Sequence, residues 1–109
     1  MAGSVSVVGV VATLVAVTVS LGLAGAAAIE AQRVAGVADA TALAAADAAS
    51  GAVPGVPCEQ AARVAAAHEV RLIRCDLEGL VATITVGGAY GGIPFDVRSR
   101  AGPPDAFAP

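Results

Sequence analysis

From Ser4 to Ile29 the chain carries no ionisable side chain, and its first charge is Glu30. About 20 apolar residues are enough to cross the hydrocarbon core of a bilayer, so this run predicts a membrane-inserted segment. A buried core helix is the alternative, and it needs a large protein around it. A chain of 109 residues leaves room for one small domain at most. The run is rich in valine and threonine, which favour strands in water. In lipid an isolated strand leaves its backbone groups unpaired, so the expectation is a helix. Gly22, Gly25 and Ala26 are small enough to let a second helix approach closely; they equally well reflect a composition full of small residues. A cleaved secretory signal competes with the anchor, because Ala24-Gly25-Ala26 and Ala26-Ala27-Ala28 both fit a small-x-small cleavage site. Against it, no Lys or Arg precedes the run, which is also longer than a usual signal core.

The segment beyond the run does not break. Between Ala27 and Ser50 there is one glycine, Gly36, and no proline, and alanine has the highest intrinsic helix propensity. The helix is therefore expected to continue to Ser50, where Gly51 with Pro54 and Pro57 beyond supplies a stop. On a helical wheel Val34, Val37, Ala38, Thr41 and Ala45 share a face, while Gln32, Gly36, Asp39 and Asp47 gather on another. Leu43 falls on the polar side, so the amphipathicity is weak. Two uses of the alanine-lined face stay open: packing beside similar helices of other subunits, or docking on the chain's own small module.

That module is expected over residues 58–100, after a linker at 51–57, giving an α+β fold with a long N-terminal transmembrane helix extended outside the membrane. Glu59 to about Glu69 reads as a helix. Val70 to Asp76 reads as a strand with Ile73 and Cys75 on one side and Leu72 and Arg74 on the other. A turn at Leu77-Glu78-Gly79 leads to a second strand, Leu80 to Val86, with Leu80, Ala82, Ile84 and Val86 on one face. Gly87 to Gly92 reads as a flexible connection, and Ile93 to Arg100 as a third strand with Phe95 and Val97 inward. The tail, 101–109, is expected to be loose.

Only 3% of the residues are aromatic, so the core of such a module is small and a covalent staple matters. Cys58 and Cys75 are the only cysteines. A disulfide closing a loop of this size contributes roughly 3 kcal/mol in the chain-entropy model, and it implies an oxidising compartment outside the cytoplasmic membrane. The other reading is two buried thiols in a cytoplasmic module.

Residues that carry chemistry are scarce. The formal net charge is −3 and the six basic residues are all arginine, scattered singly or in pairs. No basic patch interleaved with aromatics is visible, so nucleic acid is not an expected partner. His68 is the sole histidine; with two spaced cysteines it does not complete a four-ligand zinc set, and no nucleophile motif stands beside it. The glycines of Gly87 to Gly92 lack the spacing of a phosphate cradle. No catalytic residue, cofactor, metal or small-molecule substrate is expected.

The order of an uncharged N-terminal run, an unbroken helical extension and a small strand-rich module resembles a pilin-like subunit. Arg33 and Asp39, spaced by five residues and followed by Ala42-Leu43-Ala44-Ala45-Ala46, resemble the R-x-Q-x-A-A-D-x-A-A-L-A motif of TadE/TadG-like proteins. That family belongs to tight-adherence (Flp pilus) assembly systems, and the likeness is to its short actinobacterial members encoded near secretion genes. Arg33, Ala38, Asp39, Ala42 and Leu43 match the motif; Ala35 stands at its glutamine and Val37 at its first paired alanine. Gly3-Ser4-Val5 is similar to the start of the family's membrane segment. Prepilins of this broader class resemble one another in a glutamate five residues past the cleavage glycine, where this chain has Val8. The resemblance therefore implies an accessory or minor component rather than a polymerising major subunit. Its implied partners are membrane lipid and other pilin-like or Tad-type subunits, with the N-terminus cytoplasmic and the module outside.

Overall fold

The structure, a computed structural model, describes residues 1–107. The last two positions of the expected tail, Ala108 and Pro109, lie outside the described residues. The chain divides into two compact units, Met1–Glu30 and a second beginning at Ala31.

The first helix, α1, spans Ala2–Ser50, as the lack of proline and the alanine content lead one to expect. In the first unit its side chains are exposed throughout the valine-rich stretch. Ser6, Thr13, Thr18 and Ser20 each donate their hydroxyl to the carbonyl four residues earlier, at 2.8–3.1 Å. These bonds satisfy four hydroxyls of the run inside its own helix, which is what a hydrocarbon environment demands.

In the second unit the rest of α1 ends at Ser50, and Gly51 at φ +82° donates its N–H to the Ala48 carbonyl at 3.2 Å. This is the left-handed glycine stop anticipated from Ser50-Gly51. After it come α2 (Pro57–Ala67) and three strands, β1 (Arg71–Glu78), β2 (Val81–Tyr90) and β3 (Ile93–Ala101). The strands form one antiparallel sheet in the order β1-β2-β3. Proline at N1 starts α2 with its φ already helical and its absent N–H not missed. The helix closes in a Schellman motif: Val70 N–H reaches Ala65 O at 3.0 Å and Glu69 N–H reaches Ala66 O at 3.1 Å. Glu69 takes the left-handed position, φ 56°, where glycine is usual.

One face of the sheet is the core face. Ala82, Ile84 and Val86 of β2 alternate onto it fully buried, joined by Val34, Val37, Ala38, Ala42 and Ala45 of α1, Ala61 and Ala65 of α2, and half-buried Leu72, Cys75, Leu77, Phe95 and Val97. The second strand thus buries Ala82, Ile84 and Val86 as expected, whereas Leu80 lies in the turn before it and is exposed.

Four expectations need correction. The first strand runs through Leu77 and Glu78, so the turn falls at Gly79-Leu80. Within β1 the register slips between Leu72, paired with Val86, and Arg74, paired with Thr85. Ile73 is the extra residue of this bulge, and its Cδ1 would lie 3.0 Å from a Cβ on Gly87, a residue of the outer face. Leu72, not Ile73, therefore shares the core face with Cys75. Gly87 to Gly92 is not a flexible connection: β2 continues through Tyr90, and only Gly91 and Gly92, both at positive φ (59° and 79°), make the turn. Positive φ at both central positions is the type I′ hairpin, whose twist matches that of the strands. Finally, Ala101 is the buried last residue of β3, and Pro104–Phe107 form a 3₁₀ turn with Arg100 5.3 Å over the Phe107 ring.

Candidate functional site

Of the residues singled out by the sequence, Val34, Val37, Ala38, Thr41 and Ala42 lie at the seam between α1 and the sheet. Val34, Ala38, Thr41, Ala42 and Ala45 have essentially no solvent exposure. They follow the i, i+4, i+7, i+8, i+11 spacing of a helix stripe. Their small size brings the helix close to β2: a Cβ on Gly88 would come within 2.8 Å of Val34 Cγ2. Thr41 is the one polar member; its hydroxyl donates to Val37 O at 2.7 Å, so its burial leaves nothing unsatisfied.

The charged residues of the Arg33-to-Leu43 pattern flank this stripe. Arg33 Nη1 donates to the carbonyl of His68 at 3.3 Å, capping an α2 C-terminal carbonyl that the helix leaves without an internal partner. Asp39 Oδ1 accepts from the Ser99 hydroxyl of β3 at 2.5 Å. Arg33 and Asp39 thus tie α1 to α2 and to β3 on either side of the alanine seam. Ala38 and Ala42 of the same pattern fill the seam, and Leu43 is its one large apolar residue at the surface, 55% exposed. It borders a shallow hollow that it shares with Ala46, Ser50, Leu80 and Pro103.

Val34, Val37 and Thr41, considered for packing against other helices, are thus covered by the chain's own sheet. Of the two uses left open for this face, docking on the chain's own module is the one seen. Gly22, Gly25 and Ala26 are exposed in the first unit, and no neighbour lies within 4 Å of where a Cβ on Gly22 or Gly25 would be.

Cys58 and Cys75 are joined in a disulfide, with Cα atoms 5.9 Å apart, across 17 positions of sequence. It fastens the first turn of α2 to the middle of β1. The bridge and the Arg33 bond hold α2 at its two ends. His68 contributes its carbonyl to this arrangement, and its side chain is exposed. Among the described residues, no group of three or more His, Cys, Asp or Glu could hold a metal ion.

The outer face of the sheet carries a grouping that the linear sequence hides. Arg71, Arg74, Asp76 and Glu78 of β1 pair with Gly87, Thr85, Thr83 and Val81, and Asp96, Arg98 and Arg100 of β3 pair with Gly87, Thr85 and Thr83. Four of the six arginines thereby share one face, interleaved with three carboxylates. Arg74 Nε lies 3.5 Å from Asp76 Oδ2, both well exposed, a pairing worth little in water. The signal was available as alternation, since these residues occupy every second position of β1 and β3 once the bulge at Ile73 is allowed for.

No family model, no curated protein and no solved structure matches this chain. Its first helix is long and apolar enough to cross a membrane, and its most apolar stretch is not buried.

Proposed function

We propose that this is a single-pass membrane protein that acts by protein–protein contact, a TadE-like accessory or minor pilin-like component of a Flp/Tad-type pilus or secretion assembly. The observation that carries the reading is the division of labour along α1. Its first part is apolar, exposed and internally hydrogen-bonded, and its second part is the central element of a folded module. Such a helix anchors a module and holds it beside the bilayer. The Cys58–Cys75 bridge supports an extracytoplasmic module, because disulfides persist where thiols are not kept reduced. Within the TadE-like pattern, Arg33, Ala38, Asp39 and Ala42 hold the module together, so Leu43 is the position left to meet another subunit. The work is assembly, with no reaction catalysed and no cofactor used.

Site-specific photo-crosslinking tests this. A crosslinker at Leu43 is expected to capture a helical membrane subunit of the same assembly, whereas one at exposed Ala62 of α2 gives no such adduct. Equal capture from both positions would remove Leu43 as the contact.

A second reading has its own support. Unit two begins at Ala31 and has its own core, so signal-peptide cleavage near Ala26 or Ala28 would release it whole as a small secreted binding module. That reading predicts a soluble product lacking the valine-rich run.

A further inference from the structure

The β2–β3 hairpin outruns the rest of the sheet. β1 begins at Arg71, opposite Gly87, while β2 continues through Gly88, Ala89 and Tyr90 before turning. At about 3.4 Å per residue this overhang is roughly 10 Å long. From Gly88 to Phe95 it has no Asp, Glu, Lys, Arg or His. Its end bears Tyr90, the only tyrosine of the chain, and Ile93, 71% exposed, across the tight Gly91-Gly92 turn. Single exposed isoleucines are ordinary; the place of this one is what matters.

Three contacts within the second unit give the direction in which the hairpin points. Ser50 and Ala46 of α1 share a hollow with Gly102 and Pro103, Asp39 meets Ser99, and Val34 lies against Gly88 beside Phe95. Descending α1 from Ser50 towards Ala31 therefore means descending β3 towards Ile93. The hairpin tip therefore lies at the same end of the second unit as that unit's first residue, Ala31, and Ile29, the last residue of the uncharged run, is two positions earlier in sequence.

We propose that the tip of this hairpin, Tyr90 to Ile93, is a second membrane contact that seats in the headgroup layer of a phospholipid bilayer. This rests on the reading that Ser4 to Ile29 crosses that bilayer. A tyrosine ring with a polar hydroxyl at its end suits the membrane–water interface. Exposed Ile93 and the absence of charge from Gly88 to Phe95 let the tip enter the boundary without burying an ion. The tight turn presents these side chains on a stiff support. Arg71 and Asp96, opposite Gly87 on the two flanking strands, mark the level at which charge resumes. Such a contact would fix which surface the module offers to a neighbouring subunit.

The chain contains no tryptophan, so single-tryptophan versions of the full chain report depth directly. Leu14→Trp marks the span, Ile93→Trp the hairpin tip, and Leu80→Trp the exposed turn at the other end of the sheet. Each is placed in phosphatidylcholine–phosphatidylglycerol vesicles whose acyl chains are brominated either near the carbonyl or near the chain end. The expected pattern is quenching of Leu14→Trp by deep bromines and blue-shifted emission of Ile93→Trp quenched by shallow ones. Leu80→Trp is expected to keep water-like emission without quenching. If Leu14→Trp is quenched while Ile93→Trp behaves as Leu80→Trp does, the hairpin stands in water and the inference falls with the span intact. If Leu14→Trp is not quenched by either lipid, the span itself falls and the hairpin contact with it.

Discussion

Replacing Gly88 by alanine probes the fit between α1 and the sheet. The new Cβ would lie 2.8 Å from Val34 Cγ2 and 2.9 Å from Phe95 Cζ, closer than carbon atoms pack. Phe95 is only half-buried, so its ring has room to swing. Val34 is fully buried and β-branched on a helix, with essentially one χ1 rotamer, so the strain falls there. Overpacking of this kind costs about 1–3 kcal/mol. Removing a strand glycine returns about 0.5–1 kcal/mol through the unfolded chain, which at the middle of both ranges leaves Gly88→Ala destabilising by about 1 kcal/mol. For a domain of this size that lowers Tm by about 4–8 °C. The assay is thermal unfolding of the oxidised full chain in detergent micelles, followed by circular dichroism. Gly36→Ala is the control: exposed on the helix with nothing within 4 Å of the new Cβ, it is expected to stabilise by about 1 kcal/mol. Val34→Ala is itself destabilising, but in combination it removes the clash, so the double mutant is expected to lose about 1 kcal/mol less than the sum of the singles. A neutral Gly88→Ala, or strict additivity with Val34→Ala, would refute the packing of α1 on β2 described above.

Other consequences follow from single contacts. Glu69 pays for its left-handed backbone, so Glu69→Gly is expected to raise stability by about 1 kcal/mol in chemical denaturation; a loss of stability would mean that the α2 cap is built differently. Replacing both Cys58 and Cys75 by serine opens a loop of 17 positions and is expected to cost about 3 kcal/mol, read as a drop in the urea midpoint that reduction of the parent reproduces. Asp39→Asn and Ser99→Ala each weaken the same hydrogen bond, so their effects of about 1 kcal/mol should fail to add in a double-mutant cycle, and full additivity would show the bond to be absent in solution.

How far the sequence was legible depended on the physics at each place. The long helix could be read because the missing charges, the missing proline and the alanine content all favour the same state, and Gly51 supplied a stop with a known conformation. The α2 helix and the alternation of β3 were legible for similar reasons. The β1 faces were misread because a bulge at Ile73 reverses the alternation, and nothing in R-L-I-R-C announces the extra residue. The hairpin was blurred because four glycines in six residues look like a loop, although only the two at positive φ turn the chain; Tyr90 and Ile93 flanking a Gly-Gly pair were the usable signal. Ser99 and the His68 carbonyl were beyond reach, since both matter only through their distance in space from Asp39 and Arg33. The use of the alanine face was undecidable for a related reason: a small-residue stripe fits a foreign helix and the chain's own sheet equally well until the sheet is placed.

Whether the module is anchored and oxidised is read from the intact mass of the native protein. Membrane and culture-medium fractions would be compared with and without reduction. The expected result is a membrane-bound species that retains Ser4 to Ile29 and gains two hydrogens on reduction, one for each sulfur of the Cys58–Cys75 pair. A species in the medium that begins after Ala26 or Ala28, with no membrane-bound counterpart, would contradict it.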